Sequence, residues 1–352
     1  MYSGNIPRVA REMTPIFRLG IVGTGLIVQE SHLPAALAIR GLNVTALVDP
    51  APGRARTLAD RFGISPQVLD SVKGLNGLVD GVIIATPNHT HAQIAIECME
   101  SGLHVLIEKP IAPSVTECEQ IIEARNRTGV TAAAGYCLRF WPSVQVVKRL
   151  LAEGTLGIPR RFLMQFGSQG GWTPLSGYYL RRDSGGGVMA INGSHYLERA
   201  LHWFGAPDEA SMEDDADAGI EADATAALRF GEVHGAVRVS KTCKLPAGSA
   251  VETDRGILVH RDWGTPSVEF FPHGHDGPGL AVEAPECSVA GRPDPYRLQI
   301  EDFMDSCIQH RAPEVSLDDG VAVSVLLERL YQGRRRFNAD WYGPHSSGKD
   351  LQ

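Results

Sequence analysis

The run Gly23-Thr24-Gly25-Leu26-Ile27-Val28 has the residue types that hold a phosphate group. Gly23 permits a tight turn, Gly25 lets backbone approach a pyrophosphate, and the N–H groups opening the next helix favour its negative charge. Val28 stands where a third glycine would complete the dinucleotide fingerprint, so helix and strand must pack slightly further apart. The next predicted strand ends in Val48-Asp49, where an acidic side chain can accept hydrogen bonds from the adenosine ribose hydroxyls. A carboxylate there repels a 2′-phosphate and favours NAD, while Arg54 and Arg56 leave NADP open. Two more segments, Thr86-Pro87-Asn88-His89-Thr90-His91 and Ile107-Glu108-Lys109-Pro110, lie at carboxyl ends of predicted parallel strands, where open α/β sheets bind ligands. Asn88 also suits a helix cap.

Such a site needs a parallel sheet behind it. Apolar runs at 19–22, 44–48, 82–85, 104–107 and 130–134 alternate with stretches of helical period, which predicts a doubly wound Rossmann domain over 18–140. Beyond Trp141 the texture changes. A helix through Leu151, a strand at 160–167, a helix over 188–204 and alternating runs at 224–230 and 234–243 predict a second α/β domain over 141–336. Its sheet is expected to be open and mostly antiparallel, with helices on one side and further helices at 296–310 and 318–336. Residues 1–17 read as an N-terminal extension, 337–352 as a tail, and the acidic stretch 213–223 as a solvated loop edge.

Composition narrows the partners. A net charge of -8 offers no general attraction to nucleic acid or an anionic membrane, which leaves a small molecule. No apolar run approaches the roughly 20 residues of a membrane span. Six cysteines without a Cys-x-x-Cys pair read as reduced thiols, which suits the cytoplasm. There is no Gly-x-Ser-x-Gly elbow, Walker loop or His-Glu-x-x-His. His195, Glu198 and His202 share a helix face but lack a fourth ligand, so packing is expected there rather than a metal.

Taken in order, Gly23-x-Gly25, Asp49, Thr86-Pro87-Asn88-x-x-His91, Glu108-Lys109-Pro110, Gly135-Tyr136-Cys137-Leu138-Arg139-Phe140-Trp141-Pro142 and Gly185-Gly186-Gly187 ahead of Gly193-Ser194-His195 form a specific set. From about residue 17 to about residue 336 this set resembles the glucose-fructose oxidoreductase, inositol dehydrogenase and rhizopine-catabolism (Gfo/Idh/MocA) family. The resemblance implies hydride transfer at a carbinol carbon of a sugar or cyclitol, and a homodimer or homotetramer built through the open sheet. It implies that Lys109, followed by a cis peptide to Pro110, is the active-site lysine, and that His195 exchanges the substrate proton. Gly23, Thr24, Gly25, Leu26, Ile27, Asp49, Thr86, Pro87, Asn88, His91, Glu108 and Lys109 are then the cofactor-binding set. Lys109, Arg139, Trp172, Tyr179, Arg182 and His195 are the substrate candidates, with Tyr178 and Tyr296 beside them. Arg182 would suit a phosphate or carboxylate, such as a nucleotide-sugar diphosphate.

One position departs from the family. Members commonly carry an aspartate four residues before the histidine, and here that residue is Ile191. Asn192 is adjacent but points elsewhere on a regular helix. Either His195 works with Lys109 alone, or the substrate differs, or the site no longer turns over. The rival readings are an NAD-dependent glycosidase that oxidises its substrate transiently and a non-catalytic ligand-binding protein.

Overall fold

Strands apolar on both faces belong inside a parallel sheet covered by helices, and the first half of the chain builds one. The computed structural model describes residues 16–170, 180–181, 185–216, 219–262, 267–282 and 294–337. Strands β1 (Phe17–Val22), β2 (Leu42–Val48), β3 (Gln67–Leu69), β4 (Gly81–Ile84), β5 (His104–Glu108) and β6 (Ala132–Gly135) lie in the order β3-β2-β1-β4-β5-β6. All neighbouring pairs are parallel. Helices α1 (Leu33–Leu37), α2 (Arg54–Phe62), α3 (His91–Glu100) and α4 (Val115–Thr128) connect them. The strand order reverses between β1 and β4, so the crevice that takes ligands in such sheets opens beside Gly23 and Ala85. Edge strand β3, at three residues, is too short to show a period and was not foreseen in the sequence.

The second half starts with α5 (Pro142–Glu153) and β7 (Pro159–Gly167), followed by α6 (Ser194–Phe204), β8 (Glu209–Asp214) and β9 (Asp223–Phe230). It continues through β10 (Val233–Ser240), β11 (Leu245–Thr253), β12 (Gly256–Arg261), β13 (Ser267–Pro272), β14 (Leu280–Val282), α7 (Pro295–Gln309), α8 (Leu317–Gln332) and β15 (Arg335–Arg336). These strands form a nine-stranded sheet in the order β14-β13-β12-β11-β7-β10-β9-β8-β15. It is antiparallel except at β7–β10 and β8–β15, as the alternating sequence pattern leads one to expect. Alternation is clear in β9, where Ala224, Ala226, Leu228 and Phe230 are buried. The inner face packs on α6 through Phe162, Phe204 and Phe230, whose ring centroids lie 5.2–5.9 Å apart. Each such side chain stabilises the layer by about 1.5–3 kcal/mol.

The acidic stretch is not simply a solvated edge. Asp214 and Glu221 are each 1% exposed: Asp214 ends β8, and Glu221, in the connection just before β9, is turned inward to accept from Met189 N and Tyr331 Oη.

Candidate active site

The glycine turn is shaped by a close approach. Gly23 has φ +92°, and a Cβ there would stand 2.5 Å from the Ala85 carbonyl oxygen, so any other residue would force the β1 and β4 ends apart. A Cβ on Gly25 would meet nothing within 4 Å, and Leu26 is 51% exposed. The turn thus leaves open space in front of its backbone, as a dinucleotide requires. Val28 is fully buried, and the chain accommodates it in a wide π turn over Val28–His32 before α1 begins. Asp49 is braced at the end of β2: its carboxylate accepts from Thr24 N (3.0 Å), Thr24 Oγ1 (2.6 Å) and Ala51 N (2.9 Å). The Arg54 guanidinium lies 3.8 Å away.

At the ends of β4 and β5 two turns interlock. His91 is fully buried, and its ring bridges the carbonyls of Thr86 (2.9 Å) and Pro110 (3.0 Å). It therefore holds the two turns together from behind and does not reach the cofactor side, contrary to the expectation from the family. Glu108 lies under the cleft, with Oε1 2.7 Å from His32 Nε2 and Oε2 accepting from Lys109 N at 2.9 Å. The partners His32 and Lys109 hold its carboxyl below the usual range although burial pushes the other way. The end of β6 can crowd this corner only as glycine, since a Cβ on Gly135 would come within 2.8 Å of Glu108 Cα. The Lys109–Pro110 peptide is cis.

The facing wall comes from the second half. Gly187 has φ +107°, and a Cβ there would lie 2.5 Å from Glu221 Oε1. That oxygen accepts from Met189 N (2.9 Å) and Tyr331 Oη (2.8 Å), fixing the start of a π turn over Met189–Gly193. A π turn is wider than an α turn and changes which residues share a face. Both Ile191 and Asn192 consequently line the cleft, with Asn192 Oδ1 buried and without a partner. The expectation that Asn192 points elsewhere assumed a regular helix. The Ile191 carbonyl accepts from Lys109 Nζ at 2.6 Å, which joins the two walls one turn from His195.

His195, half-buried at the start of α6, packs edge-on against Tyr136 with centroids 5.9 Å apart. Its Nδ1 is buried and unpartnered, so Nε2 is the ring nitrogen left to meet a substrate. Burial, then the positive charges of Lys109 and Arg199, push its pKa well below the ordinary histidine value. Behind it, Asp262 accepts from Tyr196 Oη (2.8 Å) and Arg199 Nη2 (2.7 Å), fixing the next turn of α6.

Between the walls lies a cleft of about 560 Å³. Of the sequence candidates, Ile27, Thr86, Asn88, Glu108, Lys109, His195 and Tyr296 line it. Gly23, Thr24, Gly25, Leu26, Asp49 and Pro87 lie outside its lining, in the adjoining turns. Arg139 does not reach it. That guanidinium is 5% exposed and committed to Glu198, Asp319 and the Glu314 carbonyl, because a buried cation requires paired carboxylates. Trp172, Tyr178, Tyr179 and Arg182 lie outside the described residues. Sequence reasoning missed His32, Lys241 and Asp294. Lys241 follows an alternating strand, and that position was the one available signal.

The family model described as an oxidoreductase family with an NAD-binding Rossmann fold (GFO_IDH_MocA) matches residues 17–136, and the GFO/IDH/MocA C-terminal domain matches 144–260. An uncharacterized oxidoreductase of Rhizobium meliloti is 30% identical over 92% of this chain and 98% of its own. Inositol 2-dehydrogenase 1 of Saccharopolyspora erythraea is 35% identical over 40% of this chain and 43% of its own. The crystal structure of KijD10, a 3-ketoreductase from Actinomadura kijaniata in complex with NADP and TDP-benzene, superposes with a TM-score of 0.79. It shares 21% identity and covers 92% of this chain and 98% of its own.

Proposed function

We propose, from the premise that this chain belongs to the Gfo/Idh/MocA family of NAD(P)-dependent oxidoreductases, that it interconverts a secondary alcohol and a ketone on a sugar, cyclitol or nucleotide-sugar-like substrate. Inositol oxidation and keto-reduction, named for two of its relatives, support that substrate class. The observation that carries the reading is the convergence of Lys109 and His195 on one cleft, linked through the Ile191 carbonyl.

The dinucleotide would lie along the turn at Gly23, Thr24, Gly25, Leu26 and Ile27, with Asp49 at its ribose and Thr86, Pro87, Asn88, Glu108 and Lys109 toward its nicotinamide end. Nicotinamide supplies the acceptor and donor of hydride. The Asp49 carboxylate favours NAD, and Arg54 at 3.8 Å leaves room for NADP. Lys109 has two N–H groups beyond the one given to Ile191, and with these it holds the reacting oxygen and stabilises its developing negative charge. His195, kept neutral, takes the hydroxyl proton in the oxidative direction and returns it in the reductive one. Asn192 offers its unpartnered amide oxygen to a neighbouring hydroxyl, the contact an aspartate at 191 would otherwise make.

Nothing favours transient oxidation, and the motive for a non-catalytic reading weakens because Ile191 still serves Lys109 through its backbone. A homo-oligomer is supported by the outward face of the nine-stranded sheet, where Leu163 is 41% and Ile257 39% exposed. A cytoplasmic setting fits the free thiols of the five described cysteines. No helix among the described residues is long and apolar enough to cross a membrane.

Lys109→Ala is expected to lower kcat by about 10²–10⁴-fold while NAD affinity stays within a few-fold, measured by reduced-cofactor absorbance and calorimetry. Near-normal turnover in that variant would remove Lys109 from the chemistry.

A further inference from the structure

His32 ends the π turn that leads out of the glycine turn, and it is fully buried, so it meets neither solvent nor substrate. Its ring stands edge-on to Tyr296 at the start of α7, with centroids 5.1 Å apart, which fixes the imidazole plane from the second half of the chain. Its Nε2 lies 2.7 Å from Glu108 Oε1. Burial pushes the Glu108 carboxyl up, but His32 and Lys109 hold it below its usual range, and a carboxylate can only accept. Nε2 is therefore the donor. His32 Nδ1 is buried with no partner. A buried nitrogen left unpaired costs stability, and a leucine would fill much of this space without it, so what the imidazole contributes is the single donor at Nε2.

Glu108 passes that contact on. Its Oε2 accepts from Lys109 N at 2.9 Å, so the carboxylate is gripped at one oxygen and grips the Lys109 backbone with the other. Gly135 closes the space beside it, since a Cβ there would stand 2.8 Å from Glu108 Cα and 3.3 Å from its Cδ. Lys109 is thus set at both ends, its amide by Glu108 and its Nζ by the Ile191 carbonyl at 2.6 Å. Nζ sits at the tip of a long side chain, so a small rotation at the backbone becomes a large displacement at the reacting oxygen. A misplacement of about 1 Å there is enough to cost about 100-fold in rate.

We propose, resting on the reading of Lys109 as the group that holds the reacting oxygen, that His32 is a positioning residue for this reaction. Through Glu108 it fixes the Lys109 backbone, so that Nζ stays at the Ile191 carbonyl and faces the substrate.

The test reads the placement of Lys109 first without a substrate and then with one. NAD-loaded wild type and variants are acetylated with trace acetic anhydride, and labelling of Lys109 is measured by peptide mass spectrometry against Lys148, whose Nζ is likewise held by a backbone carbonyl, that of His202. His32→Leu should raise the labelling of Lys109 relative to Lys148 by about fivefold or more, because a released amine reacts faster than a hydrogen-bonded one. His32→Gln, whose amide nitrogen reaches as far as Nε2, should stay within about twofold of wild type, whereas His32→Asn, one methylene shorter, should behave as the leucine variant does. On the fastest of myo-inositol, D-glucose and D-xylose, His32→Leu should lower kcat by about tenfold or more with NAD affinity within a few-fold, and the loss should vanish in a Lys109→Ala background. If His32→Leu does not fold, the glutamine and asparagine variants carry the same comparison, and if none of the three polyols turns over, the labelling decides. Labelling of Lys109 that stays at the wild-type level in His32→Asn, labelling that rises equally at Lys148, or an equal loss of kcat in both backgrounds overturns the proposal and leaves hydride transfer standing. Near-normal turnover in Lys109→Ala, or failure of the chain to bind NAD(H), overturns the hydride-transfer reading and the proposal with it.

Discussion

A histidine that takes a proton from an alcohol must be neutral when the alcohol arrives, and the surroundings of His195 keep it so. Burial disfavours the imidazolium, and the cations at Lys109 and Arg199 disfavour it further. The sign follows: the lowered pKa leaves the base competent at every pH above it, and competence is lost only as pH falls through that lowered value. Oxidative kcat/KM is expected to stay level from pH 8 down to about pH 6, with no inflection near the ordinary histidine value of about 6.5. His195→Asn should lower kcat by about 10²–10⁴-fold. An acid limb centred near 6.5 in the wild type would mean that the ring is solvated in the substrate complex.

At the scale of elements, the two π turns decide where the site's side chains point. The turn at Met189–Gly193 brings Ile191 and Asn192 to the cleft together, and it depends on Gly187 meeting Glu221. Gly187→Ala puts a methyl group on a backbone at φ +107° and against a carboxylate oxygen. It is expected to cost about 1–3 kcal/mol in urea unfolding and to reduce kcat more than it weakens NAD binding. A stable, fully active variant would show that the turn tolerates rearrangement. Such features explain what the sequence reveals and what it hides. The glycine turn, Asp49 and the strand-end motifs could be read because each is local: a fixed spacing within one strand–turn–helix unit. The inward turn of Asn192 could not, because an extra residue in a helical turn leaves no mark on apolar periodicity. Arg139 sits in a motif with the family's pattern, yet its role is set by Glu198 and Asp319, far along the chain. Lys241 reaches the cleft only through the pairing of β10 with β7, a long-range fact.

Across the whole molecule, the cleft exists because the two halves are fastened at a fixed spacing, and Arg139 is a principal fastening. It leaves the short helical turn Cys137–Phe140 just after β6 and meets Glu198 on α6, Asp319 on α8 and the Glu314 carbonyl. Arg139 and Glu198 are 5% and 2% exposed, so neither charge can turn to water if its partner goes. Asp319 differs, since its side chain is 33% exposed and also accepts from Ser316 N and Oγ at the start of α8. Removing the arginine alone strands a buried carboxylate, so Arg139→Met is expected to destabilise the protein by about 3–5 kcal/mol. The double variant Arg139→Met, Glu198→Met removes both charges and fills the space with apolar atoms, and it should recover much of that loss. Urea unfolding of the three proteins measures both effects. If the double variant is as unstable as the single one, the pair matters through its geometry more than through its charge. The NADH affinity of the folded double variant then reports whether the Rossmann half binds independently of this fastening, while a raised substrate KM would locate the damage in the spacing of the two walls.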